Sequence, residues 1–189
     1  MNKPTIIRSN IVKRLIRKLL MSKPLYETKS YKHLALDLGC GWGHYFEINP
    51  EAYGIDIDDN CIDYLHSKGY KAIKSDLLER FPFDDEQFNC VIAHDVLEHF
   101  TLSETRTILN EIYRVLRRKG QVLILIPHKK GFEYGLKVNA GHKHFIIPEE
   151  IIKLTENRFA LKKNYSYPLP RFLGKYFTHN KEILVLEKL

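Results

Sequence analysis

Apolar positions in this chain fall into two patterns that alternate along its length. Runs of five or six residues at Leu34–Leu38, Ala52–Ile57, Tyr70–Ser75, Asn89–Ala93 and Gln121–Ile126 are strand-like. Between them apolar residues recur every three or four positions. Ile108, Leu109, Ile112, Val115 and Leu116 line one face of a helix predicted over Ser103–Leu116, with Gly120 as its stop, and Asn60–Lys68 reads as a shorter helix closed by Gly69. Beyond Ile126 a polar insertion over residues 128–147 leads to Pro148-Glu-Glu, a good helix start. Two last strand candidates follow at Leu161–Tyr167 and Glu182–Glu187. Strands alternating with helices predict an α/β fold, a doubly wound, mostly parallel sheet with helices on both faces.

The first strand runs into Asp37-Leu-Gly39-Cys40-Gly41-Trp42-Gly43. Glycines spaced by two let the backbone turn where other residues do not go and let a ligand approach the main chain. The dinucleotide fingerprint would place its third glycine at 44 or 46, where this chain has His44 and Phe46, and the phosphate-loop Lys-Ser/Thr is missing, so a pyrophosphate ligand is disfavoured. Asp56 ends the second strand, where a carboxylate can accept both hydroxyls of a ribose. Asp76 ends the third, placed to accept from an adenine amino group. Each of the three acids also has an ordinary alternative. Asp37 can pin the glycine turn, Asp56 can cap the next helix, and Asp76 can punctuate a turn.

Residues 33–127, through the segments Leu36–Gly43, Gly54–Asp58, Ser75–Leu77 and Phe88–His99, resemble the class I methyltransferases that use S-adenosylmethionine, in particular the methyltransferase type 11 group. The resemblance implies a Rossmann-like, seven-stranded sheet with an antiparallel last strand. It implies that Asp37 and Gly39, Cys40, Gly41, Trp42 and Gly43 hold the methionine portion of S-adenosylmethionine, and that Asp56 holds its ribose. Ile57 and Leu77 would flank the adenine, Asp76 would meet its amino group, and the carbonyl near Ala93 or His94 would face the ammonium. One departure is plain: about ten residues separate Gly43 from Tyr53 and Pro50 interrupts them, so the helix that usually follows the glycine loop must be short or irregular. Two other readings remain: a cofactor-binding module without turnover, and a nicotinamide-dependent oxidoreductase that shares the ribose acid.

Methyl transfer is an in-line displacement on an activated sulfonium, so the protein aligns the acceptor and, for a hydroxyl, removes a proton. His144, then His142, then His94 are the candidates for a base or acceptor contact. Asp95-Val-Leu-Glu98-His99 is similar to a segment that binds a divalent metal in coenzyme-Q O-methyltransferases. The favoured expectation is no metal, with Asp95, Glu98 and His99 as the alternative ligand set. Aromatic residues between the last strands, Tyr165, Tyr167, Phe172, Tyr176 and Phe177, suggest an apolar acceptor site. By resemblance, the absence of Asn-Pro-Pro-Tyr after the fourth strand argues against methylation of amine or amide nitrogens. The expected reaction is O-methylation of a small molecule, a sugar or a lipid-linked glycan.

Charge sharpens the partner expectations. The 189 residues carry a formal net charge of +7, but residues 1–32 hold nine Lys/Arg against Glu27, and residues 33–112 hold 5 bases against 16 acids. A phosphate backbone should avoid that acidic half, so nucleic acid is not the expected acceptor. Residues 113–163 lean the other way, with 12 bases against 4 acids, which reads first as a solvated face balancing the acidic half and otherwise as a surface that favours an anionic acceptor. Residues 1–32 form a basic amphipathic arm in which Ile11, Val12, Leu15, Ile16, Leu19 and Leu20 make one stripe. It either packs on the domain or contacts an anionic membrane surface. Residues 33–189 form one methyltransferase domain: a cofactor half at 33–127, an acceptor-side insertion at 128–147 and C-terminal strands at 160–189. Three scattered cysteines, no membrane-spanning run and no secretory apolar core place the expected location in the cytoplasm, with the arm as the route to a membrane surface.

Overall fold

A computed structural model describes residues 34–138 and 140–189, together with Pro24. The basic arm and its apolar stripe lie outside the described residues.

Seven strands form one sheet: β1 (Ala35–Leu38), β2 (Tyr53–Asp56), β3 (Lys71–Lys74), β4 (Phe88–His94), β5 (Leu116–Pro127), β6 (Phe159–Tyr167) and β7 (Lys181–Lys188). Their spatial order is β3-β2-β1-β4-β5-β7-β6. The first five are mutually parallel, and β7 runs antiparallel to both β5 and β6. The strand order reverses between β1 and β4, so the loops after these two strands leave the sheet on either side of one crevice, the place where open α/β sheets bind ligands.

The two-residue period of the strands sorts the core. Leu36 and Leu38 of β1, with Val91 and Ala93 of β4, face one layer, where they meet Ile108, Leu109 and Ile112 of α2 (Leu102–Val115) and Ile151 of α4 (Pro148–Thr155). Ala35, Cys90 and Ile92 face the other layer and pack with Phe46 and with Ile62 and Leu65 of α1 (Asp59–Ser67). Asp37 is in register with that second layer, which makes it a buried acid among apolar neighbours, 5% exposed.

Helix α2 starts on a capping box. The Glu104 amide donates to Thr101 Oγ1, and Thr101 N–H donates to the Glu104 carboxylate at 2.7 Å. It ends where β5 begins, at Leu116, not at Gly120 as the sequence suggested. The left-handed position falls on Lys119 (φ 62), while Gly120 is needed for close approach, since a Cβ there would lie 2.8 Å from the Arg117 carbonyl oxygen. Near its end Arg114 ties down the loop before β4. Its guanidinium donates to the carbonyls of Phe81 and Phe83 and to the carboxylates of Glu111 and Asp85 at 2.7–3.1 Å.

No helix follows the glycine loop. Residues 41–48 form successive turns closed by Phe46 N to Gly43 O and Ile48 N to Tyr45 O bonds, as the short spacing to Tyr53 required. The insertion, in contrast, contains a helix the sequence pattern did not announce, α3 (Lys129–Lys137). Its buried face uses Gly131 and Gly135, which carry no apolar periodicity but allow close approach of the Thr178 carbonyl and the His142 ring. A four-residue turn, α5 (Arg171–Gly174), follows β6. Among the described residues no helix is long and apolar enough to cross a membrane.

Candidate active site

The β1 loop turns through three left-handed glycines, Gly39 (φ 60), Gly41 (φ 46) and Gly43 (φ 83). They serve different ends. A Cβ on Gly43 would collide with Leu65, whereas one on Gly41 would meet nothing within 4 Å. Gly43 therefore seats the loop on α1, and Gly41 leaves open main chain on the side where a ligand would lie. Cys40 is buried beneath the loop, its N–H donating to Ile55 O at 3.0 Å, and burial, then the charges of Asp37 and Asp56, push its thiol well above the usual range. Trp42 stands half-exposed, edge-on to Tyr64 at 5.5 Å.

Asp56 closes the crevice from β2. Its Oδ2 accepts from Gly41 N–H at 2.7 Å and its Oδ1 from Asp58 N–H at 3.0 Å. The helix cap that the sequence allowed for Asp56 belongs to Asp58, which accepts from Asn60 N–H at 2.9 Å. A carboxylate has about four acceptor positions, so two remain on Asp56 for ligand hydroxyls. Asp76 does punctuate a turn, accepting from Leu78 N–H at 2.9 Å. Ile57 beside Asp56 is 62% exposed, an apolar surface at the crevice mouth, whereas Leu77 and Ala93 are buried in the core.

Asp37, Gly39, Cys40, His44, Tyr45, Ile92 and His94 enclose a recess of about 70 Å³. Burial, then the Asp56 charge, push the Asp37 carboxyl up to about 8. A buried acid of this kind, under open glycine backbone and beside a ribose-type acceptor, fits a ligand that brings its own cation. The ammonium and sulfonium of S-adenosylmethionine are such cations.

The loop after β4 is held by partners distant in sequence. Asp95 (φ 56) is bound by the ammonium of Lys181 at the start of β7. Burial works to raise the Asp95 carboxyl, but Lys181 and His94 beside it bring it below its ordinary value. Glu98, 1% exposed in a short 3-10 turn (Leu97–His99), goes the opposite way: burial and the Asp95 charge push it up to about 8.

The three candidate histidines separate. His94 lines the recess, with Nε2 3.6 Å from Asp95 Oδ2. His142 stacks on Phe132, its Nδ1 3.2 Å from the Phe132 carbonyl, and its ring centroid is 5.1 Å from that of His99. His144 turns to Glu150 in the first turn of α4, at 3.2 Å, which is a positioning contact. Lys181 and His44 were missed by sequence reasoning. Lys181 lies 86 residues from Asp95, and nothing local marks it.

Residues 128–147 and 168–181 together form a rim. These segments meet, since His128 N–H donates to Asn180 O at 3.1 Å and Gly131 lies against the Thr178 carbonyl. Lys129, Lys130, Lys137, Lys143, Arg171 and Lys175 are exposed on them; Arg171 is paired with Glu182, Lys143 with Glu104 and Lys130 with Glu133, which leaves Lys129, Lys137 and Lys175 as cations for which no ion pair stands among the described residues. Tyr134, Phe172, Tyr176 and Phe177 stand among them, each more than half exposed. A basic surface with exposed rings suits single-stranded nucleic acid.

Comparison with known proteins agrees with this geometry. Residues 36–124 match the methyltransferase domain family. The chain is 28% identical over 195 residues to an uncharacterized protein of Methanocaldococcus jannaschii, covering 89% of this chain and 82% of that one. It is 33% identical over 187 residues to the tRNA (carboxymethyluridine(34)-5-O)-methyltransferase ALKBH8 of Mus musculus, covering 80% of this chain but 28% of that protein. Among solved structures, magnesium protoporphyrin IX methyltransferase from Synechocystis with bound S-adenosylhomocysteine superposes with a TM-score of 0.67 at 17% identity, covering 96% of this chain and 89% of that one.

The expectations that nucleic acid is an unlikely partner and that the acceptor is a small molecule or glycan are overturned by the relatives named as tRNA (carboxymethyluridine(34)-5-O)-methyltransferases, from Mus musculus, Xenopus tropicalis and Saccharomyces cerevisiae. The charge count failed for a physical reason. It averaged over sequence segments, while the fold brings two separate lysine-rich segments, 128–147 and 168–181, onto one rim.

Proposed function

Because this chain is a class I S-adenosylmethionine-dependent methyltransferase, we propose that it methylates an oxygen atom of a tRNA nucleotide. The observation that carries the reading is the basic, aromatic rim outside the C-terminal ends of β5 and β6, next to the recess under the glycine loop. The domain spans about a quarter of the length of ALKBH8, so the relatives lend support to the substrate class through this domain alone.

The cofactor supplies a methyl group on a sulfonium already activated for displacement. Asp37 would receive the positive end of the methionine portion, the open main chain at Gly41, whose own amide is given to Asp56, would leave room beside it, and Asp56 would take the ribose hydroxyls with its two remaining acceptor positions. Ile57 offers the apolar surface for the adenine. The lysines of α3 and Lys175 neutralise phosphates, and an exposed ring such as Tyr176 or Phe177 stacks on a base turned out of its helix. His94 is the histidine placed against the recess and is the candidate to orient or deprotonate the acceptor; His144, turned to Glu150, serves the architecture of the insertion.

Incubation of the protein with tRNA and S-adenosylmethionine carrying a labelled methyl group tests the proposal. Label retained on tRNA, reduced by charge reversal at Lys129, Lys130 and Lys175, is the expected result. Unlabelled tRNA in the presence of protein that still binds S-adenosylhomocysteine would refute the substrate class while leaving the cofactor reading intact.

A further inference from the structure

Beyond the cofactor crevice, one cluster of side chains has the composition of a metal centre. Ligand atoms of Glu98, His99 and His142 all lie within 4.8 Å of one another. Donors about 2.1 Å from one tetrahedral ion stand roughly 3.4 Å apart, so closure needs only side-chain rotation. The cluster is not an accident of flexible surface groups. Glu98 is 1% exposed, and no donor among the described residues reaches its Oε2, a buried acceptor that a bound cation would satisfy.

The two imidazoles are brought to Glu98 by specific backbone bonds. Lys143 N–H and His144 N–H both donate to the Glu98 carbonyl, at 2.8 and 3.3 Å, which fastens the insertion loop over the 3-10 turn. Gly141 (φ 75) bends the loop beside His99, and Gly135 of α3 clears space for the His142 ring. His142 Nδ1 lies at 3.2 Å from the Phe132 carbonyl. Donation there fixes the tautomer with its proton on Nδ1 and leaves Nε2 as a lone-pair donor, the arrangement in which ligating histidines are held by a carbonyl behind them.

We infer that Glu98, His99 and His142 form a binding site for a divalent first-row transition ion of the zinc or manganese class. Two nitrogens and one carboxylate oxygen suit these ions better than magnesium or calcium, which favour all-oxygen shells. Asp95 is not a ligand, because its carboxylate is engaged by Lys181. Three protein ligands leave a coordination position for an exogenous oxygen donor. The turn that carries Glu98 and His99 starts shortly after His94, so the site adjoins the recess and borders the rim.

The test uses the tag-free chain, titrated calorimetrically with zinc and followed by visible spectroscopy with cobalt as the zinc surrogate. One equivalent should bind, and Glu98→Gln and His142→Gln should each weaken it at least about tenfold, with S-adenosylhomocysteine affinity unchanged as the check on folding. Absence of stoichiometric binding, or binding that neither variant alters, would overturn the site and leave Glu98 as a proton-sharing partner of Asp95. Neither readout needs tRNA or methyl transfer, so failure here is separable from failure of the proposed function.

Discussion

Asp37 offers the sharpest test of how this site holds its cofactor. Its carboxyl stands at about 8 in the free protein, raised by burial and then by the Asp56 charge. At pH 7 about nine-tenths of the molecules therefore carry a proton there. An ammonium delivered by the ligand favours the ionised form and lowers such a carboxyl by about 1–3 units. With a shift of about 2 units, binding at pH 7 releases roughly 0.8 proton, and the dissociation constant of S-adenosylhomocysteine falls about tenfold between pH 6.5 and 8. The assay is calorimetry across that range, repeated in two buffers of different ionisation enthalpy to count the proton. Asp37→Asn should flatten the profile, which separates Asp37 from titration of the ligand's own amine. Stability runs the other way. The folded pKa lies above the unfolded value, so the native state holds the extra proton and free-protein stability declines as pH rises from about 4 towards 8. Asp37→Asn should thus melt higher than wild type at pH 8 while binding more weakly. A wild-type affinity constant within twofold from pH 6.5 to 8, or a slope that survives in Asp37→Asn, would refute the assignment.

Three further outcomes are expected. Arg114→Ala should cost about 2–4 kcal/mol in urea unfolding, because it strands the Phe81 and Phe83 carbonyls and the Glu111 carboxylate at once, and Arg114→Lys should restore less than half. Gly43→Ala should destabilise the protein by about 2–3 kcal/mol through its left-handed backbone and its collision with Leu65; Gly41→Ala, with open space around it, should cost only about 1 kcal/mol and show its main effect in ligand affinity. Charge reversal at Lys129, Lys130 and Lys175 should weaken tRNA binding and reduce the salt dependence of log K by about one for each phosphate no longer neutralised, with S-adenosylhomocysteine affinity unchanged; an unaltered salt slope would remove the rim from the interface.

The strands and the cofactor loop were legible in the sequence because their signals are local. A buried parallel strand reads as an apolar run wherever its neighbours lie, and all seven runs became strands, with α2 displaced by one residue at each end. The Gly39–Gly43 turn and the acids at 37, 56 and 76 stand at fixed offsets from strand ends, so the crevice followed from them together with the family resemblance. Even the missing helix after Gly43 was forced by the count of residues to Tyr53.

What the sequence left undecided depends on groups that meet across the fold. Helix α3 was invisible because two of the three buried residues on its packing face, Gly131 and Gly135, serve close approach and not hydrophobicity, which leaves Phe132 without an apolar period around it. Lys181 reaches Asp95, and His142 reaches Glu98 and His99, across separations that no spacing rule spans. The charge of the rim was averaged away for the same reason. Charge summed along a chain describes a line, whereas a polyanion meets a surface, and only the return of β6 and β7 beside β5 brings residues 128–147 and 168–181 together as one. Local backbone preference and hydrophobic period determined the scaffold and its cofactor loop; electrostatics, which acts through space and not through sequence, had to await the tertiary structure.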